Sequence, residues 1–131
     1  HETLRLREQL DADVSILADI DVKHSAPLAE RSHAELVGEL IERGGADGII
    51  VSGTGTGEAV DTTVLEGVVD SRDTRGLDAP VLIGSGVTPE TAPELLSVAD
   101  GAIVGTALKE GGETTNHVDE AAVERLVESV R

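Results

Sequence analysis

The residues with the clearest chemical potential lie in one short stretch, the segment 14–23. Successive side chains of a strand point to opposite faces, so Asp19, Asp21 and Lys23 share one face. Ionisable groups there are costly unless paired, and Lys23 lies at the end where ligands bind. A lysine in that position can bind a substrate anion, transfer a proton or form a Schiff base. We therefore predict Lys23 and Asp21 as catalytic residues; the alternative is a structural ion pair between them.

Two glycine-containing loops predict a phosphate site. Small residues let backbone N–H groups approach an anion closely, and a helix beginning just after the loop adds its positive end. One loop follows the segment 80–83 and the other follows the segment 101–104, which makes them neighbours in a parallel sheet. The predicted phosphate-binding residues are Gly84, Ser85, Gly86, Gly105 and Thr106. The alternative is that both loops are only tight turns.

Other kinds of site lack a sequence signal. The chain has no cysteine, and its four histidines show no metal-ligand spacing. The glycine-rich segment 52–57 lacks the spacing of a dinucleotide fingerprint and the lysine of a P-loop; it is either a flexible loop or one that covers substrate. We therefore predict no metal and no cofactor.

The elements that must position these residues alternate between strands and helices. Strands are predicted at 14–23, 48–52, 80–83 and 101–104, with helices before, between and after them. Capping boxes begin at Ser32 and Thr91, and Asp119 is a cap for the last helix. The pattern predicts an α/β fold with a (βα)4 parallel sheet, half of an eight-stranded TIM barrel. An open doubly wound, flavodoxin-like sheet is the alternative, and both bind ligands at the carboxyl ends of the strands.

Length and charge narrow the class of protein. The 131 residues predict a single domain, 1–131, and the first residue is histidine, so we expect a fragment of a longer barrel. The net charge of −16 disfavours nucleic acid as a partner, and no apolar run is long enough to span a membrane. Lysine occurs only at 23 and 109, which with the acidic surface is typical of halophilic proteins from a salt-rich cytoplasm.

The ordered motifs resemble those of the BtpA family. They begin with Asp-Ile-Asp-Val-Lys-His at 19–24 and continue with Ala-Asp-Gly-Ile-Ile-Val-Ser-Gly at 46–53. The later ones are Pro-Val-Leu-Ile-Gly-Ser-Gly-Val-Thr at 80–88 and Gly-Ala-Ile-Val-Gly-Thr-Ala-Leu-Lys at 101–109. The resemblance implies a TIM-type barrel of the ribulose-phosphate-binding kind, of which this chain would be strands five to eight. That family is named for photosystem I biogenesis, and some members are labelled phosphoribosylanthranilate isomerase-like.

Three functions follow as expectations. The first is a phosphate-binding barrel protein that acts on, or binds, a phosphorylated sugar or nucleotide-like metabolite. Its narrower version is a sugar-phosphate isomerase or lyase-type enzyme, with Asp21 as general acid or base. The second is a non-catalytic assembly or biogenesis factor, and the third, weaker, is a response-regulator-like sheet. Half a barrel also exposes two sheet edges, so we expect a homodimer or pairing with an N-terminal half.

Overall fold

The computed structural model describes residues 2–20, 33–52, 62–84 and 86–131. Within these ranges four strands alternate with five helices, as the sequence predicts. The strands are β1 (Leu17–Ile20), β2 (Gly48–Val51), β3 (Val81–Ile83) and β4 (Gly101–Ala102). The helices are α1 (Glu2–Gln9), α2 (His33–Gly38), α3 (Thr62–Thr74), α4 (Ala92–Leu96) and α5 (Glu120–Ser129). A π-helical segment, Glu39–Arg43, continues α2, and two 3₁₀ turns, Thr106–Leu108 and Glu110–Gly112, lie between β4 and α5.

The sheet is parallel throughout and its strands lie in sequence order, β1-β2-β3-β4. In a flavodoxin-like sheet β1 would lie between β2 and β3. Here β2 pairs directly with β3, with Ile50 opposite Leu82, so that alternative is wrong. Sequential order is the arrangement of strands in a TIM barrel, and this sheet supplies half the strands of one.

One face of the sheet carries the core. Ile49, Val51, Val81 and Ile83 point to this face and are fully buried. Leu65 and Val68 of α3 are buried in the same cluster. The core is entirely aliphatic because the chain has no aromatic residue.

The described residues leave the opposite face largely uncovered. Leu17 in β1 is 41% exposed and Ile103, directly after β4, is 48% exposed. Asp19 shares this face with Leu17, which confirms the predicted alternation within the described part of the first strand. In a closed barrel this face would line the interior.

Two clamps of the same construction join neighbouring strands at the amino end of the sheet. In the first, Asp47 precedes β2 and its Oδ2 accepts a hydrogen bond from the backbone N–H of Ile16, at 2.7 Å. Arg7 of α1 donates to the same carboxylate oxygen at 3.1 Å and to the carbonyl of Val14 at 3.2 Å. The clamp therefore ties α1 and the start of β1 to the start of β2.

The second clamp repeats this arrangement between β3 and β4. Asp100 precedes β4, and its Oδ2 accepts from the backbone N–H of Val81 at 2.9 Å and from the guanidinium of Arg72. Arg72 of α3 also donates to the carbonyl of Ala79 at 3.3 Å. Burial opposes the charged form of Arg72, but hydrogen bonds to Asp100 and Asp73 raise its pKa. Both aspartates lie in an Ala-Asp-Gly segment, 46–48 for the first and 99–101 for the second, so a repeated sequence corresponds to a repeated structure.

The helix caps correct one prediction. Asp119 caps α5 as expected, because its side chain accepts from the N–H of Ala121 at 3.0 Å. Thr91 makes no side-chain cap for α4. Instead Thr88 and Thr91 cap each other: the Thr88 N–H donates to Thr91 Oγ1 at 3.0 Å, and the Thr91 N–H donates to Thr88 Oγ1 at 3.3 Å. The turn thus begins three residues earlier than predicted, with Pro89 at a position where no N–H is needed. Ser32 lies outside the described residues.

Candidate functional site

A cavity of about 580 Å³ opens at the carboxyl end of the sheet, on the uncovered face. Four of the five predicted phosphate-binding residues line it: Gly84, Gly86, Gly105 and Thr106. Ser85 lies outside the described residues. The two loops come together here because β3 and β4 are adjacent and parallel, so that both end at the same edge.

Backbone geometry explains two of these glycines. Gly86 has φ +76°, a left-handed conformation that side chains other than glycine adopt at a cost. At Gly84 a Cβ would lie 3.2 Å from the Cβ of Ile103, so a side chain there would require Ile103 to shift by a few tenths of an ångström. Gly105 is different, because a Cβ there would meet no atom of the described residues within 4 Å. Its lack of a side chain leaves open space beside the backbone.

The helix ends predicted beside these loops are short. The first helical piece after β4 is a 3₁₀ turn of three residues, Thr106–Leu108. The helix after the β3 loop, α4, has five residues. Helical pieces this short have a small macrodipole, so the positive helix end that the sequence predicts at each loop would attract an anion only weakly. What remains is local: backbone N–H groups of the loops, and the Thr106 hydroxyl, which lies 3.1 Å from that of Thr114.

The far side of the cavity carries an acceptor pair. Ser52, directly after β2, donates its hydroxyl to Asp19 of β1, with Oγ 2.8 Å from each carboxylate oxygen. Both residues line the cavity, and Asp19 is exposed. Asp19 is the one titratable residue among the described residues of the lining. The strand alternation predicts that Asp19 shares a face with Asp21 and Lys23, but no local pattern in the sequence indicates its pairing with Ser52.

The predicted catalytic residues are not among those that the structure describes. Asp21 and Lys23 follow β1 directly and lie outside the described residues, as does the loop 53–57. Among the residues that the structure describes, no three His, Cys, Asp or Glu side chains form a group that could hold a metal ion. None of the helices in those same ranges is long and apolar enough to cross a bilayer.

A solved structure of another protein has the same fold. A thiamine phosphate pyrophosphorylase from Pyrococcus furiosus superimposes with a TM-score of 0.53 at 22% identity. The match covers 97% of this chain and 63% of that chain. At this identity the likeness shows the fold alone, and it agrees with a TIM-barrel arrangement of the strands.

Several proteins are more similar to this chain in sequence than the fold neighbour is. The chain is 39% identical over 130 residues to the photosystem I biogenesis protein BtpA of Synechocystis, covering 99% of this chain and 44% of that protein. It is 38% identical to an uncharacterized protein of Pyrococcus horikoshii, covering 99% of the chain and 48% of the relative. A mitochondrial uncharacterized protein of Caenorhabditis elegans is 35% identical, covering 97% of this chain and 44% of that protein.

The chain spans about half the length of these curated relatives. The model of the BtpA family matches residues 1–131, the whole of the sequence. On that match, and on a parallel sheet whose strand order is that of a TIM barrel, the chain belongs to the BtpA family.

Proposed function

We propose that the chain binds a phosphorylated sugar or nucleotide-like metabolite, with the phosphate held by the loops after β3 and β4. The observation that carries this proposal is the cavity into which Gly84, Gly86, Gly105 and Thr106 converge. In TIM barrels the loops after the last two strands are the usual phosphate site.

The phosphate is bound mainly by neutral donors. Asp19 is an acid and lies on β1, away from the two loops, so the described lining supplies no cation. We propose that Lys23 supplies the positive charge and that Asp21 and Lys23 handle protons in an isomerase or lyase-type reaction. A lysine beside a desolvated anion both binds it and stabilises charge that develops during reaction.

Titration with inorganic phosphate, followed by NMR of the backbone amides, tests the proposal. Saturable shifts are expected at Gly84, Gly86, Gly105 and Thr106. Thr106→Val, which removes one hydroxyl donor, should weaken binding about fivefold. Thr74→Val is the matched control, since Thr74 is exposed at the end of α3 and far from the cavity. Shifts confined to other amides would contradict the phosphate site.

A second pair of variants tests the lysine. Lys23→Gln should weaken phosphate binding about tenfold, because a charged hydrogen bond is lost. Lys109→Gln is the matched control: it removes the other lysine, which does not line the cavity. Equal losses in the two variants would mean that only the net charge matters, and Lys23 would have no role at the site.

The relative from Synechocystis supports a second candidate function, because its name specifies photosystem I biogenesis. In this case the chain is an assembly factor that keeps the barrel and a phosphate ligand without catalysis. Incubation with a panel of pentose phosphates distinguishes the two functions. Conversion that Lys23→Gln abolishes supports the enzyme, whereas binding without conversion of any of them supports the assembly factor.

We further propose that a second four-stranded unit covers the open face and completes the cavity. The chain spans about half of its relatives, and its sheet has half the strands of a barrel. In the longer relatives the unit comes from the rest of the chain; for these 131 residues alone it is a second copy, with β1 of one copy beside β4 of the other.

Light scattering measures the expected mass, twice the 13.5 kDa of one chain. Leu17→Glu, on the open face, should give monomers, whereas Leu10→Glu, exposed outside the sheet, should leave the dimer intact. A mass of 13.5 kDa for the unaltered chain would refute the dimer.

We also propose that the chain works in a salt-rich cytoplasm. With a net charge of −16, mutual repulsion destabilises the compact state at low salt, and added salt screens it. The melting temperature should therefore rise between dilute buffer and molar KCl. A melting temperature that does not change would contradict the halophilic character.

A further inference from the structure

We infer that Asp19 and Ser52 recognise hydroxyl groups of the ligand, so that the phosphorylated molecule is a polyol such as a pentose phosphate or a ribonucleotide. The inference rests on the proposed phosphate site and adds what the ligand carries at its other end. It assigns a specificity role to two residues outside both phosphate loops.

The pair offers acceptors to a ligand. Ser52 uses its one proton in the hydrogen bond to Asp19, at 2.8 Å from both carboxylate oxygens. Its oxygen retains lone pairs, and a carboxylate accepts about four hydrogen bonds in all. The matching ligand groups are therefore donors. Two acceptor groups side by side suit the two hydroxyls of a vicinal diol, which an acidic side chain also binds in dinucleotide-binding folds.

The distance across the cavity excludes inorganic phosphate alone as the complete ligand. Neighbouring strands are about 4.8 Å apart, so Asp19 on β1 lies roughly 10–14 Å from loops that follow the third and fourth strands. One phosphate ion cannot contact both ends. The lining between them is apolar, with Ile50, Val87 and Ile103 facing the cavity. Such a surface packs against the carbon skeleton of a sugar.

Charge adds a second constraint. The Asp19 carboxylate repels a second anionic group at its end of the cavity. The ligand is thus anionic at the loops after β3 and β4 and uncharged or cationic at the group that contacts Asp19. A cationic amine would also donate hydrogen bonds to Asp19, so the test compares hydroxyls with an amine directly.

The experiment measures dissociation constants by calorimetry for three probes: ribose 5-phosphate, ethyl phosphate and phosphoethanolamine. In the unaltered chain ribose 5-phosphate should bind about tenfold more tightly than either of the other two. Asp19→Asn and Ser52→Ala should each remove most of that preference while leaving the affinity for ethyl phosphate unchanged. Ser52→Thr, which keeps the hydroxyl, should retain the preference. Asp13→Asn, an exposed position before β1 and outside the cavity, is the control for the loss of one charge.

The outcomes separate the inference from the proposed function. If the three probes bind equally, or if Asp19→Asn keeps the preference for ribose 5-phosphate, the hydroxyl role is wrong while the phosphate site stands. Tighter binding of phosphoethanolamine would also overturn the hydroxyl role and assign Asp19 to a cation. If none of the probes binds, the phosphate site fails, and the inference fails with it.

Discussion

At the amino end of the sheet, charged side chains tie neighbouring strands together; at the carboxyl end, glycine and small polar residues surround a cavity. At the amino end, Asp47 and Asp100 each accept hydrogen bonds from a backbone N–H at the start of a strand and from an arginine guanidinium. At the second end, Gly86 and Gly105 leave backbone exposed to the cavity. The two ends of the same strands thus differ in role: ion pairs and hydrogen bonds join the strands at the amino end, and the proposed phosphate site lies at the carboxyl end, where TIM barrels bind their ligands.

The largest effect on stability is expected for Asp100→Ala. The substitution removes the side-chain acceptor of the Val81 N–H and one of the acceptors of Arg72, whose side chain is only 14% exposed. Asp100 itself is 43% exposed, so solvent offsets part of the loss. The free energy of unfolding should fall by about 2 kcal/mol, measured by urea denaturation. Asp78→Ala, exposed just before β3, is the control and should change it by less than about 0.5 kcal/mol. Phosphate affinity should not change in either variant.

Acid should remove the same contribution. The hydrogen bond from the Val81 N–H, and then the Arg72 guanidinium, lower the pKa of Asp100 in the folded chain. A lowered folded pKa means that the stabilisation is complete above the unfolded value of about 3.9 and is lost as the pH falls through the folded value. The difference in unfolding free energy between the unaltered chain and Asp100→Asn should therefore be constant from pH 7 to about 5. It should then shrink below about pH 4. A difference that stays constant to pH 2 would mean that the carboxylate charge is not what stabilises.

A smaller effect is expected for Asp47→Ala. This clamp has the same bonds, but Arg7 is 29% exposed and Asp47 is 47% exposed, so water competes more effectively. The free energy of unfolding should fall by about 1 kcal/mol, half the effect at Asp100. A loss equal to or larger than that of Asp100→Ala would show that burial of the arginine does not set the strength of the clamps.

The smallest effect on stability is expected at the carboxyl end, for Gly105→Ala. A Cβ at this position has no neighbour within 4 Å in the part of the chain that the structure describes, so the free energy of unfolding should change by less than about 0.5 kcal/mol. The added methyl group nevertheless occupies cavity space and should weaken phosphate binding measurably. Gly86→Ala is the contrasting variant, because its φ of +76° makes alanine strained by about 1 kcal/mol. If Gly105→Ala unfolds the chain, the two ends do not divide stability and binding.

What could be predicted from the sequence follows from how local each feature is. The sequence could predict which loop residues line the cavity, because a loop that follows a strand lies at the carboxyl end of a parallel sheet. These residues are Gly84, Gly86, Gly105 and Thr106. The box Thr91-x-x-Glu94 matched the local pattern but was wrong, since the overlapping Thr88–Thr91 pair has the same spacing.

Features that depend on register were harder to predict. The Ser52–Asp19 bond joins residues 33 positions apart. It requires that β1 pair with β2 in one register, with Asp19 opposite Ile50. The Arg7–Asp47 contact spans 40 positions, and only the repeated Ala-Asp-Gly suggested that the two turns share a structure. The roles of Lys23 and Asp21 stay predictions.

The repeated clamp identifies the strand pair, rather than the single strand, as the unit from which this sheet is assembled. In both clamps the arginine reaches a carbonyl seven residues further along the chain, Val14 from Arg7 and Ala79 from Arg72. The strand N–H bound by the aspartate comes two residues after that carbonyl. A helix, the strand after it, the next helix and the next strand thus form one module, in which the arginine, the carbonyl and the bound N–H have fixed spacings. Two such modules in succession make up this four-stranded sheet. The same spacing, an arginine nine residues before the backbone N–H that the aspartate binds and an Ala-Asp-Gly turn before the next strand, offers a way to locate paired strands in the remaining half of the longer relatives.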